Sequence, residues 1–256
     1  MSSEKTIILI TGANSGIGYD TASALVAASP TNHVIMGCRS LPKGTQALAE
    51  LRAKNLQGTL SLLELDVTSD TSISAAASQI EKDFGKLDVL INNAGIVVQD
   101  PPNSITPRER VQRTFETNTF GPMILTTVLV PLLQKSSNPR IINVSSSLGS
   151  ITLKNDPSWL FYASPPADEY RMSKAALNML SGCFRQRFEQ WGCKVWSYCP
   201  GYVVTNLTGE GDRQRRKESG ADSSEVSAKG IRDIVEGKRD HEVGQFVEKD
   251  GGTFLW

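Results

Sequence analysis

The chain has 256 residues, 39% hydrophobic and 21% charged; it is too apolar for a disordered segment and long enough to bury a core unaided. Lys plus Arg and Asp plus Glu each number 27, a zero balance that argues against a basic nucleic-acid surface or a polyacidic tail. His33 and His241 lie far apart and no CxxC or HExxH spacing occurs, which argues against zinc.

The apolar run that leads into Gly12 is too short for a signal h-region or a membrane span. Cys38, Cys183, Cys193 and Cys199 sit in or beside apolar segments, as expected of buried free thiols in a reducing, cytoplasmic setting. Strands are predicted at Thr6–Thr11, His33–Cys38, Thr59–Leu63, Leu87–Ile91, Arg140–Val144, Lys194–Cys199 and, more weakly, Gly244–Val247. Helical patterns long enough for crossovers separate them, which predicts a single-domain α/β Rossmann fold with a doubly wound parallel sheet of about seven strands. Continuous apolar runs such as Ile7–Ile10 and Val89–Ile91 suit strands covered on both faces. Helix starts are marked by the capping box Thr106-Pro107-Arg108-Glu109, by Asp168 as a cap, and by Asp222 to Glu225.

The first strand runs into Thr11-Gly12-Ala13-Asn14-Ser15-Gly16-Ile17-Gly18 and then a helical stretch, Tyr19–Ala28. Strand, glycine turn and helix in that order form the context in which backbone N–H groups and a helix N-terminus hold a pyrophosphate. After the second strand an NAD site would place a carboxylate; here the sequence reads Gly37-Cys38-Arg39-Ser40, with no carboxylate before Glu50. Arg39 can bind a 2′-phosphate instead, which favours NADP(H).

Further motifs follow in a fixed order: Asp66-Val67, Asn92-Asn93-Ala94-Gly95, Asn118 to Gly121, Asn143 to Ser146, Tyr170-Arg-Met-Ser-Lys174 and Pro200 to Thr205. Together with the glycine turn they resemble the short-chain dehydrogenase/reductase family over nearly the whole chain. Leu148 to Ile151 with Tyr170 to Asn178 looks like its carbonyl-reductase-like, or sniffer-like, branch. The resemblance implies that Gly12, Asn14, Ser15, Gly16, Ile17 and Gly18 contact the pyrophosphate side of the cofactor. It places Asp66 on the adenine amino group, Val67 beside the ring, and Asn92 to Gly95 along the adenosine side, with Asn93 and Ala94 near the ribose. Pro200, Gly201, Val203 and Thr205 are expected around the nicotinamide.

Tyr170 and Lys174 share a helix face at i, i+4. A tyrosine hydroxyl titrates near ~10, and a nearby ammonium is expected to lower that value, so that Tyr170 can exchange a proton with a carbonyl or alcohol oxygen during hydride transfer. The resemblance makes the catalytic serine the one three positions before the loop glycine; counting back from Gly149 gives Ser146, with Ser145 and Ser147 as the other candidates. Asn118 matches the helix asparagine that holds a water near the lysine and completes a proton relay.

Ser146 and Tyr170 lie further apart than in many members. The intervening insertion, about 150–168, carries Trp159, Phe161 and Tyr162, which can wall the substrate site or cover the neighbouring helix. Longer insertions here can obstruct the family's four-helix dimer surface, so dimer, tetramer and monomer all stay open. A substrate lid is expected over 206–222; its Arg213, Arg215, Arg216 and Lys217 read either as a solvated basic helix or as a recruiter of acidic or phenolic substrates. Ile96, Val97, Val98, Trp159, Tyr202 and Leu207 suggest a hydrophobic or aromatic carbonyl compound, of the kind met in secondary metabolism. The expectation is an NADPH-dependent ketone or aldehyde reductase, reversible as an alcohol dehydrogenase, with a small-molecule partner and no nucleic acid or membrane. Two other classes remain: a silent NADP-binding regulatory or scaffold protein, against which the intact Asn118, Ser146, Tyr170 and Lys174 speak, and a dehydratase or isomerase, which would have to retain its cofactor tightly.

Overall fold

The computed structural model describes residues 4–99, 101, 104–163 and 167–256; Ser164-Pro165-Pro166 at the end of the aromatic insertion lie outside them. In chain order the elements are β1 (Thr6–Thr11), α1 (Gly16–Ala28), β2 (Asn32–Cys38), α2 (Leu41–Ala53), β3 (Thr59–Glu64), α3 (Asp70–Phe84), β4 (Val89–Asn92) and α4 (Pro107–Phe115). There follow α5 (Gly121–Leu133), β5 (Arg140–Val144), α6 (Ile151–Lys154), α7 (Asp168–Phe188), β6 (Lys194–Cys199), α8 (Arg213–Glu218), α9 (Ser224–Val235), β7 (Phe246–Glu248) and β8 (Thr253–Phe254). The sheet order is β3-β2-β1-β4-β5-β6-β7-β8. All neighbours pair in parallel except β7 and β8.

Side chains that alternate along a strand point to opposite faces, and here both faces are covered. Ile8, Ile10, Val34, Met36, Trp196 and Tyr198 pack with Leu25, Leu51, Ile231 and Ile234 on one side. Ile7, Leu9, Ile35, Leu90 and Ile141 pack with Ile80, Leu125, Leu129 and Phe184 on the other. This is why the strands read as unbroken apolar runs. The strand order reverses direction at β1 and β4, and in such sheets ligands bind beyond the carboxyl ends of the strands at that reversal.

A polar ladder interrupts the apolar core under the middle of the sheet. Asn92 Nδ2 donates to Asn143 Oδ1 at 2.8 Å, and Asn143 Nδ2 donates to Ser181 Oγ at 2.9 Å. Ser197 Oγ lies 2.9 Å from Ser181 Oγ and 3.1 Å from Asn178 Oδ1. All five residues are buried.

Several local expectations are corrected. The sheet has an eighth strand, β8, after Gly251-Gly252. The seventh starts at Phe246 rather than Gly244, because Gly244 adopts φ 81° and turns the chain. β4 starts at Val89 rather than Leu87, because the Leu87 N–H goes to Leu132 O instead of to a strand. Ala167, not Asp168, caps α7; Asp168 and Glu169 occupy its first turn, where they favour the positive end of the helix dipole. Ser223 rather than Asp222 caps α9, since Asp222 is drawn into a bridge with Val203. Cys183 is exposed on the outer face of α7, while Cys38, Cys193 and Cys199 are buried. The Thr106–Glu109 capping box forms with both reciprocal bonds. Among the described residues no helix is long and apolar enough to cross a membrane.

Candidate active site

A cavity of about 570 Å³ opens at the carboxyl ends of the central strands. Its floor at one end is the turn after β1. Gly12 has φ 65°, a left-handed conformation that glycine adopts without strain. Gly18 lies behind the turn, where a Cβ would come within 2.5 Å of Gly12 O and 2.6 Å of Asn93 Nδ2, so α1 packs directly against the turn. Ser15 precedes α1 without a side-chain cap. The first N–H groups of that helix therefore remain for an anion, as a pyrophosphate site needs.

Gly12, Asn14, Ser15, Gly16, Ile17, Arg39, Asp66, Val67, Asn93, Ala94 and Gly95 all line the cavity, and so do Tyr170, Lys174, Pro200 and Thr205 at its other end. One Asp66 carboxylate oxygen accepts from Thr68 N at 3.0 Å and Thr68 Oγ1 at 2.8 Å, which fixes the side chain at the rim. The Asn93 side chain turns inward, donating to Thr11 O at 2.8 Å and Gly12 O at 3.3 Å, and thereby braces the glycine turn. Gly18, Asn92, Asn118, Ser146, Gly201 and Val203 lie outside the cavity wall. Asn92 is committed to the buried ladder, away from the adenosine side where the sequence placed it. Val203 is buried, and its carbonyl accepts from Arg216 Nη1 at 2.8 Å. Ser40, Lys43, Leu65, Thr68, Thr117 and Val144 line the cavity without having been foreseen, Asn206 and Leu207 line it from the expected lid, and of the three candidate serines it is Ser145 that forms part of the wall. Lys43 carried a readable signal: a second cation in the first turn of the helix just after Arg39.

These residues fit a dinucleotide. The turn offers N–H donors at one end of the cavity, and Asp66, Val67, Arg39 and Lys43 line the same end.

At the other end, Tyr170 and Lys174 project from the first half of α7. Ser146 lies close enough to the Tyr170 hydroxyl to pull its proton affinity down. Of the three adjacent serines, this is the one that meets the tyrosine. Ser145 Oγ donates to Lys174 O at 3.3 Å, and Ser147 is held by Cys199, whose Sγ accepts from Ser147 N at 3.2 Å. Lys174 Nζ donates to Val144 O at 2.8 Å and lies 5.7 Å from the Tyr170 ring centre. Burial lowers the Lys174 ammonium to about 8.

The tyrosine does not follow the expected downward shift. Burial pushes its hydroxyl up to about 12, against the opposing pull of nearby Ser146 and of the Arg216 charge. Desolvation of the anion outweighs both.

Asn118 sits in a π-helical turn, Glu116–Phe120, between α4 and α5; such turns occur frequently at functional sites. Its Oδ1 accepts from Ile96 N at 2.8 Å. Its Nδ2 donates to Ile96 O and Ser173 Oγ, both at 3.0 Å. Both ends of the side chain are thus engaged, so a relay through Asn118 would run by way of its main-chain carbonyl.

The aromatic insertion divides. Trp159 meets Phe161 at 5.6 Å and Phe161 meets Tyr202 at 6.0 Å, while Tyr162 faces outward over Lys154. None of these rings lines the cavity itself. The basic run after Thr208 is not a uniformly solvated face. Arg216 is only 11% exposed, lies over Tyr202 at 5.2 Å and bonds Thr208 Oγ1 at 2.8 Å. Asp212, bonded to Arg215 and Thr208, is held well below the usual carboxylate range.

The short chain dehydrogenase family model matches residues 6–216. Short-chain dehydrogenase/reductase tropE of Talaromyces stipitatus is 33% identical over 97% of both chains. Short-chain dehydrogenase/reductase eupG of a Phoma species is also 33% identical, over 93% of this chain and 92% of that one. Among solved structures, an NADPH-bound carbonyl reductase from chicken fatty liver aligns at TM-score 0.82 and 29% identity, covering 99% of this chain and 100% of that one. Matched by the family model from β1 into α8 and by relatives along nearly its full length, the chain belongs to the short-chain dehydrogenase/reductase family of NAD(P)-binding oxidoreductases.

Proposed function

We propose that this protein is an NADPH-dependent reductase of ketones or aldehydes, working in reverse as an alcohol dehydrogenase, on a hydrophobic or aromatic metabolite of secondary metabolism. The observation that carries this reading is the single cavity joining the Gly12–Ile17 turn and Arg39 to Tyr170 and Lys174. The turn would hold the pyrophosphate, Arg39 and Lys43 the 2′-phosphate, and Pro200 and Thr205 the nicotinamide end. The likeness to an NADPH-bound carbonyl reductase supports the choice of cofactor.

When bound, the cofactor supplies the hydride. The chain supplies the proton and the geometry. Burial keeps the Tyr170 hydroxyl protonated at neutral pH, so its proton is present for a carbonyl oxygen; in the reverse direction the same oxygen, once ionised, takes the proton of the alcohol. Ser146, beside the same hydroxyl, holds the substrate oxygen next to it and stabilises charge that develops there. Lys174 carries its positive charge below about 8, and that charge offsets the negative charge left on Tyr170 after transfer. The whole chain, 1–256, then acts as one NADP-binding domain, with the 150–168 insertion and the 206–222 segment bordering the substrate side.

The test is NADPH oxidation against a panel of aromatic and aliphatic carbonyl compounds, with Tyr170→Phe in parallel. The expected outcome is turnover by the native protein and near-complete loss in the variant, with NADPH affinity retained. A variant that keeps most of its rate at saturating NADPH would refute the mechanism.

A further inference from the structure

The segment that leaves Ser146 is held on one side by the catalytic helix. A Cβ on Gly149 would come within 2.7 Å of the Lys174 carbonyl carbon, so the turn Ser147–Gly149 lies directly on α7. The other side is held by the last described residues of the chain. Ser150 Oγ donates to Leu255 O at 2.6 Å. Thr152 donates to Trp256 O twice, from N at 3.1 Å and from Oγ1 at 2.7 Å. The Trp256 ring stacks on Phe246 at 5.6 Å and 15°, and Phe246 is 1% exposed in β7. Trp256 itself is 45% exposed. The ring anchors this segment on Phe246, and the segment's main-chain carbonyls take the bonds from Ser150 and Thr152.

Resting on the reductase reading, we propose that Leu255 and Trp256 form a strap that positions the Ser146 loop, clamping Ser150 and Thr152 to the edge of the sheet so that the Ser146 hydroxyl stays within reach of Tyr170. Trp256 is in this sense a positioning residue. It touches neither the cavity nor Tyr170, and it acts through the short segment between Ser146 and α6. Ser150 transmits the hold, since its hydroxyl both donates to Leu255 O and accepts from Leu153 N at 3.1 Å to cap α6. The loop has a second tie, from Ser147 N to Cys199 Sγ, so releasing the strap should loosen the loop without unfolding it.

The experiment compares the native protein with Trp256→Ala, Trp256→Phe and Thr152→Val. It reads kcat with a carbonyl substrate, NADPH affinity by fluorescence titration, and amide exchange by mass spectrometry. Small misplacements of catalytic groups cost up to ~10²-fold; Trp256→Ala, a partial release, should lower kcat about tenfold and leave NADPH affinity within about twofold. Trp256→Phe keeps a ring on Phe246 and should restore most of kcat. Thr152→Val removes one hydroxyl donor and should cost about threefold, the scale of one net hydrogen bond. Exchange should quicken at Leu148 to Asn155 in Trp256→Ala, and not in the central strands.

If the native protein reduces no carbonyl compound, the reductase reading fails; exchange then decides the strap, with local quickening supporting it and unchanged exchange overturning it. If the native protein is active and Trp256→Ala keeps its kcat and its exchange pattern, the strap is overturned. Equal losses in kcat and NADPH affinity, or quickened exchange across the sheet, would mean general destabilisation and also overturn it. Should Trp256→Ala not fold, Thr152→Val decides by the same readouts.

Discussion

Lys174→Met should make the protein more stable at neutral pH while abolishing its proposed chemistry. Lys174 is 4% exposed, and burial lowers its ammonium from 10.5 to about 8. An unfolded chain holds the proton up to the ordinary lysine value, whereas the folded one releases it earlier. The folded state is therefore penalised wherever Lys174 is charged. At ~1.4 kcal/mol for each decade of pH, that penalty is ~3 kcal/mol below pH 8. It shrinks as pH rises from about 8 toward 10.5 and is gone above that. Methionine fills nearly the same volume without charge, but it forfeits the 2.8 Å bond from Nζ to Val144 O, which is worth ~1 kcal/mol. The variant should thus be more stable by ~2 kcal/mol at pH 7, equal to the native protein near pH ~9.7, and less stable by ~1 kcal/mol above pH ~10.5. Urea unfolding of both proteins across this range gives the difference directly. Groups whose folded values are raised, such as Tyr170, Cys38 and Cys193, lose stability as pH rises in both proteins and cancel in the subtraction. A methionine variant less stable at pH 7, by an amount that does not change with pH, would refute the claim that Lys174 is held charged against its burial.

Arg39→Asp should weaken NADPH by roughly ten- to hundredfold, the loss of charge-assisted contacts of ~1.5–3 kcal/mol, and shift preference toward NADH; Lys43→Ala should weaken NADPH more mildly. Competitive titration of the two cofactors checks both, and NADH binding as tightly as NADPH in the native protein would contradict them. Ser146→Ala should lower turnover by ~10²–10³, the scale of one lost oxyanion donor, whereas Ser145→Ala and Ser147→Ala should cost far less, because Ser145 Oγ is engaged by Lys174 O and Ser147 is held at its main chain by Cys199. Steady-state rates of the three variants decide. The pH profile of carbonyl reduction should be level near neutrality and fall with a midpoint near 8 as Lys174 loses its proton, with no step from Tyr170 below its own value of about 12.

The parts of the site that lie on contiguous sequence were legible before any coordinates. The glycine turn joins a strand to a helix within a few residues, and Tyr170 and Lys174 are one helical turn apart; both relations are local. Ser146 was found by counting from Gly149, and its influence on the Tyr170 hydroxyl sets it apart from its neighbours. What escaped notice depends on distant packing. Asn92 belongs to a ladder whose partners come from β5, α5 and α7, and nothing beside it in the chain announces that. The upward shift of Tyr170 depends on how deeply α7 is covered, which its amphipathic pattern does not quantify. β8 follows a glycine pair and has only two residues, too few for any periodicity to show.

The asparagine ladder also bears on how the sheet finds its alignment. Apart from Arg140 at the start of β5, β4 and β5 are otherwise aliphatic on both faces, so along most of their length sliding one past the other by two residues would exchange one set of branched side chains for another at little loss of burial. Asn92 and Asn143 are register partners, and such a slide would strand each amide among hydrocarbons. An unsatisfied buried polar group costs ~1–3 kcal/mol, and two together approach the margin that separates a folded domain from an unfolded one. The ladder thus acts as an indexing pin: it adds little to cohesion, but it makes the correct alignment of the two central strands cheaper than its near neighbours. A drift of sequence at either position would then have to be matched at the other, and a chain carrying an aliphatic residue at only one of them should fold to a mixture of alignments before it fails to fold at all.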